Sequence, residues 1–456
     1  MSVVRRLPVV KDLTLVTAGA MTANVAGYLL QLLASRWLGV AGYSSFASLL
    51  AVQMLCAVPA LALQNVIARE VVRGAPAAAA RTLALRCAGW VTAVALVLAP
   101  LVSAVLKVGF AASAGAMCTA PMLVLLAGEQ GIVQGRSRFR ELATVLGGAA
   151  ILRIAPALIM LACGFGPAPA LWAGAAGTAL AVAAARWIAD GTVADRGRTT
   201  GETRTFDGDA DSTTAATSLI PDATDRTATG TPPARTASAT PQGTDAWGLG
   251  VAAVFRAVQV QAALTALSAA DLLVSRIVLD ENDAGRYALG AIAAKIAFWL
   301  PQAVGVVLYP KMAQPQHSAR AMRSALAVLV GIGAVTVAGA AVAAPLAPLF
   351  AGRDYAPIQG LLWLFALEGA LLAVLQVTLL SAIAADRTAP AAITWIGLAA
   401  GVAVMLTCAH SVLSLIVIAT VTAAVTTLVI TGVALRTARA AGESPSRVPD
   451  LGASGT

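Results

Sequence analysis

Apolar residues along this chain occur in long continuous runs separated by short polar segments, not in the alternation typical of strands. A helix that crosses a lipid bilayer needs about 20 mostly apolar residues. The first half of the chain has six such runs, at 13–34, 44–63, 83–106, 112–133, 143–163 and 168–189. Six more follow, at 249–273, 287–308, 326–347, 358–383, 391–409 and 413–435. The pattern predicts an all-α polytopic membrane protein with twelve transmembrane helices in two six-helix lobes.

The segment between the two sets of runs has a different composition. Residues 190–246 are rich in Thr, Ala, Asp, Gly and Pro, with no apolar period that would form a packed face. Such a composition is typical of disorder. The predicted organisation is an N-terminal lobe at 1–189, a disordered linker at 190–246, a C-terminal lobe at 247–436 and a disordered tail at 437–456.

The overall composition supports the membrane assignment. Of the 456 residues, 59% are hydrophobic and 12% are charged, whereas a soluble domain has about 45–50% apolar and 25% charged residues. The five cysteines all lie in apolar runs without a C-x-x-C pair, and the chain has two histidines. This argues against a disulfide framework, a zinc site or an iron–sulfur cluster. We expect no metal and no cofactor.

The distribution of charge predicts an orientation. The net charge is +9, and the acids concentrate in the linker, so the lobes are more cationic than this value. The basic residues are scattered between spans without a basic aromatic face, which argues against nucleic-acid binding. If the N-terminus is cytoplasmic, the outer turns carry few cations: Arg36, Lys107, Arg276, Arg286 and Arg353. The positive-inside rule then places both termini and the linker in the cytoplasm of a protein of the cell (plasma or inner) membrane.

A turn motif recurs in both halves. The turn before the second span reads RWLGVAGY at 36–43, and the corresponding turn after the linker reads LDENDAGRY at 279–287. An Ala-Gly pair closely followed by Tyr at the same place in each half indicates duplication. Parallel repeats related by an axis along the membrane normal are typical of transporters, whose halves move about a central site.

With GIVQGRSRF at 131–139 and YPK at 309–311, these motifs resemble the polysaccharide-biosynthesis flippases, Wzx-type members of the multidrug/oligosaccharidyl-lipid/polysaccharide (MATE-like) superfamily. The resemblance covers both lobes, and the long linker departs from the family pattern. It implies transport of an oligosaccharide on a polyprenyl pyrophosphate carrier from the inner to the outer leaflet. The implied partners are this lipid-linked substrate, membrane lipids, and a polysaccharide polymerase or glycosyltransferases.

Charged side chains at mid-bilayer depth are costly, so by default they face a cavity or a partner. The deepest are Arg153, Arg256, Lys295 and Glu368, whose net positive charge suits the diphosphate of the carrier. A second interpretation is that Glu368 forms a structural ion pair and that Lys295 extends toward the bilayer interface. Asp271 lies near the predicted outer end of its span, so we expect it to be solvated.

Uncharged polar residues within the spans are candidates for hydrogen bonds to sugar hydroxyls: Asn24, Gln31, Gln53, Gln259 and Gln302. Gln259 lies three residues from Arg256 and is predicted to share its helical face. Hydrogen bonds between helices, worth about 0.6 kcal/mol on average, explain such residues as readily.

Other protein classes stay open. A major-facilitator transporter also has twelve spans, but its usual G-x-x-x-D-R-x-G-R motif is absent from the loop at 68–76. A MATE-type drug/cation antiporter is expected to have carboxylates in its cavity, and Glu368 is the one candidate. A membrane glycosyltransferase or polymerase needs an ordered catalytic segment, whereas the long loop here is low-complexity. The chain also lacks a P-loop, and we expect no enzymatic activity.

Overall fold

The computed structural model describes residues 6–201, 246–299, 318–384 and 389–442. Within these ranges the protein consists of helices and short turns without a β-strand, which confirms the all-α class. The α-helices are α1 Arg6–Cys56, α2 Val58–Val72, α3 Ala77–Val105, α4 Phe110–Gly135, α5 Phe139–Ala162, α6 Pro167–Gly201, α7 Ala246–Val278, α8 Glu281–Trp299, α9 Ser318–Ala343, α10 Ala347–Ala351, α11 Leu362–Ala384, α12 Ala389–Cys408 and α13 Val412–Gly442. Two 3₁₀ helices, Ala344–Leu346 and Arg353–Leu361, lie between α9 and α11.

The lengths of these helices agree with a multi-pass membrane protein. In the described ranges, nine helical stretches are long and apolar enough to cross a bilayer, and the first of them, Met21–Val72, contains most of the first predicted span and all of the second. A shorter apolar helix, Ala392–Cys408, corresponds to the eleventh predicted span. The count of twelve spans stays a prediction, because 300–308 of the eighth lies outside the described residues.

The first two predicted spans meet at a sharp bend inside α1. Gly39 has a φ of 68° and a ψ of −179°, a conformation that glycine adopts without the steric cost of a Cβ. The predicted turn at 36–43 is therefore concentrated at one residue. The second span breaks again at Ala57, and Pro59 lies in the first turn of α2. Proline has no N–H with which to continue the hydrogen-bond ladder of a helix.

Two helices extend beyond the predicted boundaries of the lobes. Residues 190–201 at the end of α6 and 437–442 at the end of α13 are helical where the composition predicts disorder. Polar composition disfavours a packed core, but a helix that has already formed extends at little cost per residue. Arg81 of α3 also contacts Asp190 at 2.8 Å and so holds the first residue past the boundary. The remainder of the predicted linker and tail lies outside the described residues.

The helices pack in two groups. The first group consists of α1–α6, and the second consists of α7–α9 and α11–α13. Glycines bring helices close together within each group, as small residues do in membrane proteins. The space beside Gly177 of α6 is filled by the backbone of Leu152 of α5, and the space beside Gly369 of α11 by the backbone of Ala294 of α8. These close contacts fix the neighbouring residues on α5, α8 and α11, which carry the candidate charges.

The two lobes meet where α1 and α2 pack against α7 and α8. At one end of the molecule the two repeated turns lie against each other, and a Cβ on Gly285 would overlap the carbonyl oxygen of Val40. The tyrosine of each motif, Tyr43 and Tyr287, is fully buried. We call this end, which contains the turns at Gly39, 106–109 and 279–280, the sealed end.

Arg276 crosses the lobe boundary at the sealed end. It was expected in an outer turn, but α7 continues past its predicted end, and Arg276 is 5% exposed. Its guanidinium donates hydrogen bonds to the carbonyl oxygens of Leu106 at 2.9 Å and Lys107 at 3.3 Å, and to Ser44 Oγ at 3.2 Å. All three acceptors belong to the N-terminal lobe. A further contact at 3.0 Å joins Arg276 to Glu281 of its own lobe.

Candidate functional site

A cavity of about 220 Å³, which we call the central cavity, lies largely in the N-terminal lobe, where that lobe meets α8 of the C-terminal lobe. Helices α1, α4, α5 and α6 line it from the N-terminal lobe, and α8 lines it from the C-terminal lobe. Aromatic side chains of α1 and α8 form part of its wall. The helices bring together five of the residues that the sequence proposes for a site: Asn24, Gln31, Gln53, Arg153 and Lys295.

Arg153 is the cation that the N-terminal lobe contributes to the central cavity. Gly174 of α6 packs on this part of α5, and a Cβ there would lie 3.5 Å from the Arg153 carbonyl oxygen, an ordinary van der Waals contact. The Arg153 guanidinium has no hydrogen bond or ion pair with any residue that the structure describes. A guanidinium that lines a cavity without an anionic partner favours the binding of an anion there.

The amides come from α1. Asn24, Tyr28 and Gln31 have helical spacing that places them on one face, and Gln53 lies beyond the bend and is 6% exposed. The three amide side chains make no hydrogen bond within the described ranges, so their donors and acceptors are free for a ligand. The Tyr28 hydroxyl donates to the carbonyl oxygen of Lys295 at 3.1 Å and thereby joins α1 to α8. Sugar binding by these amides stays a prediction.

A second cavity has a volume of about 20 Å³, and we call it the small cavity. It is lined mainly by the C-terminal lobe, with Ala51 and Met54 of α1 on one side. Lys295 lines it as well as the central cavity, together with Asp271 of α7 and Glu368 of α11. The Tyr287 hydroxyl donates to Asp271 Oδ2 at 2.7 Å. Asp271 Oδ1 and Glu368 Oε2 are buried without a hydrogen-bond partner among the described residues. The small cavity therefore combines one cation with two carboxylates.

Two expectations for acidic residues need correction. Asp271 is 3% exposed rather than solvated, because α7 continues to Val278 and places it roughly two turns inside the helix. The sequence signal was available: the apolar run resumes after Asp271, and a single charge does not end a helix. Glu368 lines the small cavity instead of the central one, and it has no ion-pair partner within 4.0 Å in the described part of the chain.

Of the remaining candidates, Gln259 is exposed and belongs to the lining of neither the central nor the small cavity. Its neighbour Val258 packs against Ala62 and Val66 of α2, and successive residues of a helix are rotated by about 100°. The packing therefore turns Gln259 away, and its assignment to the site is not supported. The side chain of Arg256 and all of Gln302 lie outside what the structure describes, so their roles stay predictions.

Comparison with known proteins finds similarity at the level of the fold. No protein-family model matches the chain, and no curated protein matches its sequence. An inward-facing multidrug resistance MATE family transporter of the MOP superfamily is similar with a TM-score of 0.62 at 12% identity, over 95% of this chain and 100% of that one. The Vibrio cholerae MATE transporter VcmN in its bent form has a TM-score of 0.55 at 17% identity, over 94% and 98%. The chain therefore has the fold of the MATE transporters.

Proposed function

We propose that this protein is a flippase that moves a lipid-linked oligosaccharide from the inner to the outer leaflet by alternating access, for the synthesis of a cell-surface polysaccharide. The substrate is held by a polyprenyl pyrophosphate carrier. One observation carries the proposal: the described lining of the central cavity has a cation from each lobe, Arg153 and Lys295, and no carboxylate. Such a lining is complementary to a diphosphate.

The energetics of the crossing require this complementarity. A diphosphate in hydrocarbon without compensating charge has a prohibitive solvation cost. A guanidinium binds phosphate oxygens through paired, planar donors, and an ammonium binds them as a point charge. Because the two cations belong to different lobes, an anion between them contacts both lobes at once. Binding of the anion then favours one arrangement of the lobes over another. Such a preference is required if the substrate is to change the side of the membrane to which the cavity opens.

The central cavity, with a volume of about 220 Å³, is the proposed site for the head group. The diphosphate and the first sugar would occupy the cavity while the polyprenyl tail stays in the bilayer. Asn24, Gln31 and Gln53 would donate and accept hydrogen bonds with the sugar. With the N-terminus cytoplasmic, as the charge distribution predicts, the sealed end faces outward and the substrate enters from the cytoplasmic side.

A MATE-type drug/cation antiporter is the second candidate. The observation that favours it is the pair of buried carboxylates, Asp271 and Glu368, in the small cavity. Carboxylates in a low-dielectric site attract cations or protons. In the central cavity, however, Arg153 and Lys295 would repel a cationic drug. The fold similarity to multidrug MATE transporters fits both candidates equally.

The experiment that tests the proposal measures flipping in liposomes. The purified protein is reconstituted with a fluorescent, short-chain polyprenyl diphosphate sugar, and the label that becomes accessible from the opposite side is followed over time. A charge-assisted hydrogen bond contributes about 1.5–3 kcal/mol, so Arg153→Gln is expected to slow flipping about tenfold or more. Arg140→Gln is the matched control, because Arg140 is on the same helix but is exposed and outside the cavity.

The same liposomes separate the two candidates. If the wild type transports ethidium and does not flip the lipid diphosphate, the flippase proposal is wrong and the antiporter proposal is favoured. Wild-type flipping by Arg153→Gln, or equal slowing by the Arg140 control, would remove Arg153 from the mechanism.

A further inference from the structure

Lys295 occupies a position that the proposed function does not explain by itself. Among the described residues it is the one charged side chain that lines both the central and the small cavity. Its backbone is fixed, since Tyr28 binds the Lys295 carbonyl oxygen at 3.1 Å and Gly369 packs on the adjacent residue, Ala294. The side chain has four rotatable bonds beyond this fixed point. A fixed backbone with a flexible stem allows the ammonium to reach either cavity.

The small cavity has the size and the acceptors for an ammonium group. Its volume of about 20 Å³ corresponds to about one water molecule, which is also the scale of an ammonium head. Asp271 Oδ1 and Glu368 Oε2 are buried there without a hydrogen-bond partner in the described ranges. Lys295 Nζ nevertheless forms no ion pair with either carboxylate within 4.0 Å. The ammonium lies between two cavities and is committed to neither.

We propose that the Lys295 ammonium alternates between two anionic partners. It contacts the diphosphate in the central cavity while the substrate is bound, and it moves to Asp271 and Glu368 in the small cavity once the substrate leaves. This inference rests on the proposed flippase function and adds a mechanism of release. The step moves the ammonium group and breaks no covalent bond of the substrate.

The physical reason is that one cation does not neutralise two separate buried anionic sites. With substrate bound, the two carboxylates are left without their cation, and buried unpaired charges are strongly destabilising. The loaded state is thereby weakened, and the substrate dissociates more easily. After release, the carboxylates compensate the lysine, which would otherwise be an unpaired cation at membrane depth. Asp271 and Glu368 therefore compete with the substrate for Lys295.

A double-mutant cycle tests this competition. Affinity for farnesyl diphosphate is measured by calorimetry for the wild type, Asp271→Asn with Glu368→Gln, Lys295→Met, and all three changes together. The amides keep the shape of the carboxylates and an acceptor for Tyr287. We expect the amide substitutions to tighten binding about tenfold when Lys295 is present, a usual size for coupled neighbouring residues. With methionine at 295, the same substitutions should change the affinity less than about twofold.

The other outcomes are distinguishable. Equal tightening in both backgrounds would indicate simple repulsion through space and would overturn the inference, as would no tightening in either. In both cases the proposed function stands if Arg153→Gln still weakens binding. No binding of farnesyl diphosphate by the wild type would overturn the proposed function and the inference together.

A measurement on the unsubstituted chain avoids any loss of folding in the variants. The chain has four lysines, so reductive ¹³C-methylation gives four lysine NMR signals besides that of the N-terminal amine, and it preserves the positive charges. Lys295→Arg identifies the Lys295 signal by its absence. Farnesyl diphosphate should shift this signal and leave that of Lys107, at the sealed end, unchanged. An unshifted Lys295 signal at saturating farnesyl diphosphate would contradict the alternation.

Discussion

Replacing Arg276 with alanine removes the side chain that joins α7 to the N-terminal lobe at the sealed end. Three hydrogen bonds across the lobe boundary are lost, to Leu106, Lys107 and Ser44. A hydrogen bond from a charged donor contributes about 1.5–3 kcal/mol. Two of the three are long, at 3.2 and 3.3 Å, and weaker for that reason. We therefore expect the sealed state to lose about 2–4 kcal/mol relative to the open one, about 30-fold or more in the equilibrium.

Two native cysteines allow the distance between lobes to be measured. Cys163 follows α5 and Cys408 ends α12, and both are exposed. Successive spanning helices alternate in direction, which places both at the sealed end on opposite lobes. After Cys56, Cys87 and Cys118 are replaced with alanine, spin labels report this distance by double electron–electron resonance. The Arg276→Ala variant should gain a population at longer distance that is minor in the parent.

Arg286 supplies the matched control. It lies at the same end and contacts Asp283 at 2.7 Å and the carbonyl oxygen of Asp354 at 3.1 Å, both within its own lobe. Arg286→Ala should therefore leave the distance distribution unchanged. The reasoning is refuted if Arg276→Ala gives the parental distribution, or if both arginine variants broaden it equally.

The remaining predictions concern thermal stability, measured by the unfolding temperature in detergent. Gly285→Ala forces a Cβ into the carbonyl oxygen of Val40 and should destabilise the protein by about 1–3 kcal/mol. At Gly147 a Cβ meets open space, so Gly147→Ala should not destabilise the protein. Equal shifts in unfolding temperature for the two variants would contradict the contact between Gly285 and Val40. Glu129→Gln disrupts a paired contact with an arginine of α3 at 2.8 and 3.0 Å and should cost about 1–3 kcal/mol. Glu70→Gln, in an exposed pair, should cost less than about 1 kcal/mol; a larger loss at Glu70 than at Glu129 would be inconsistent with the burial of the two pairs.

The positions of the helices were predictable because the hydropathy of a span depends on local composition. The ends of the helices were less predictable. The end of α7 was placed five residues early, at 273 instead of Val278, because charges at 271 and 276 resembled a solvated turn. In the structure both side chains are buried with partners from other elements. A partner that is distant in sequence leaves no trace in the local pattern.

Candidate site residues could be proposed from the cost of polar groups at membrane depth. That cost identifies a residue that needs a partner or a cavity, and five of the proposed residues line the central cavity. The cost does not reveal how a helix is rotated about its axis. For α7 this rotation is set by the packing of Val258, and for this reason the prediction for Gln259 was wrong. Nor does the cost separate the central cavity from the small one, in which Glu368 lies.

The sequence by itself determined that this protein is a bundle of membrane helices with charges where a bilayer tolerates few. It does so because a backbone in hydrocarbon must satisfy its hydrogen bonds within each helix, which is a local requirement. Only the tertiary structure decided that Arg276 joins the lobes, that Arg153 lacks an anionic partner among the described residues, and that Lys295 lies between two cavities. These properties depend on which helices become neighbours, and the surroundings of a buried charge come mainly from distant parts of the chain.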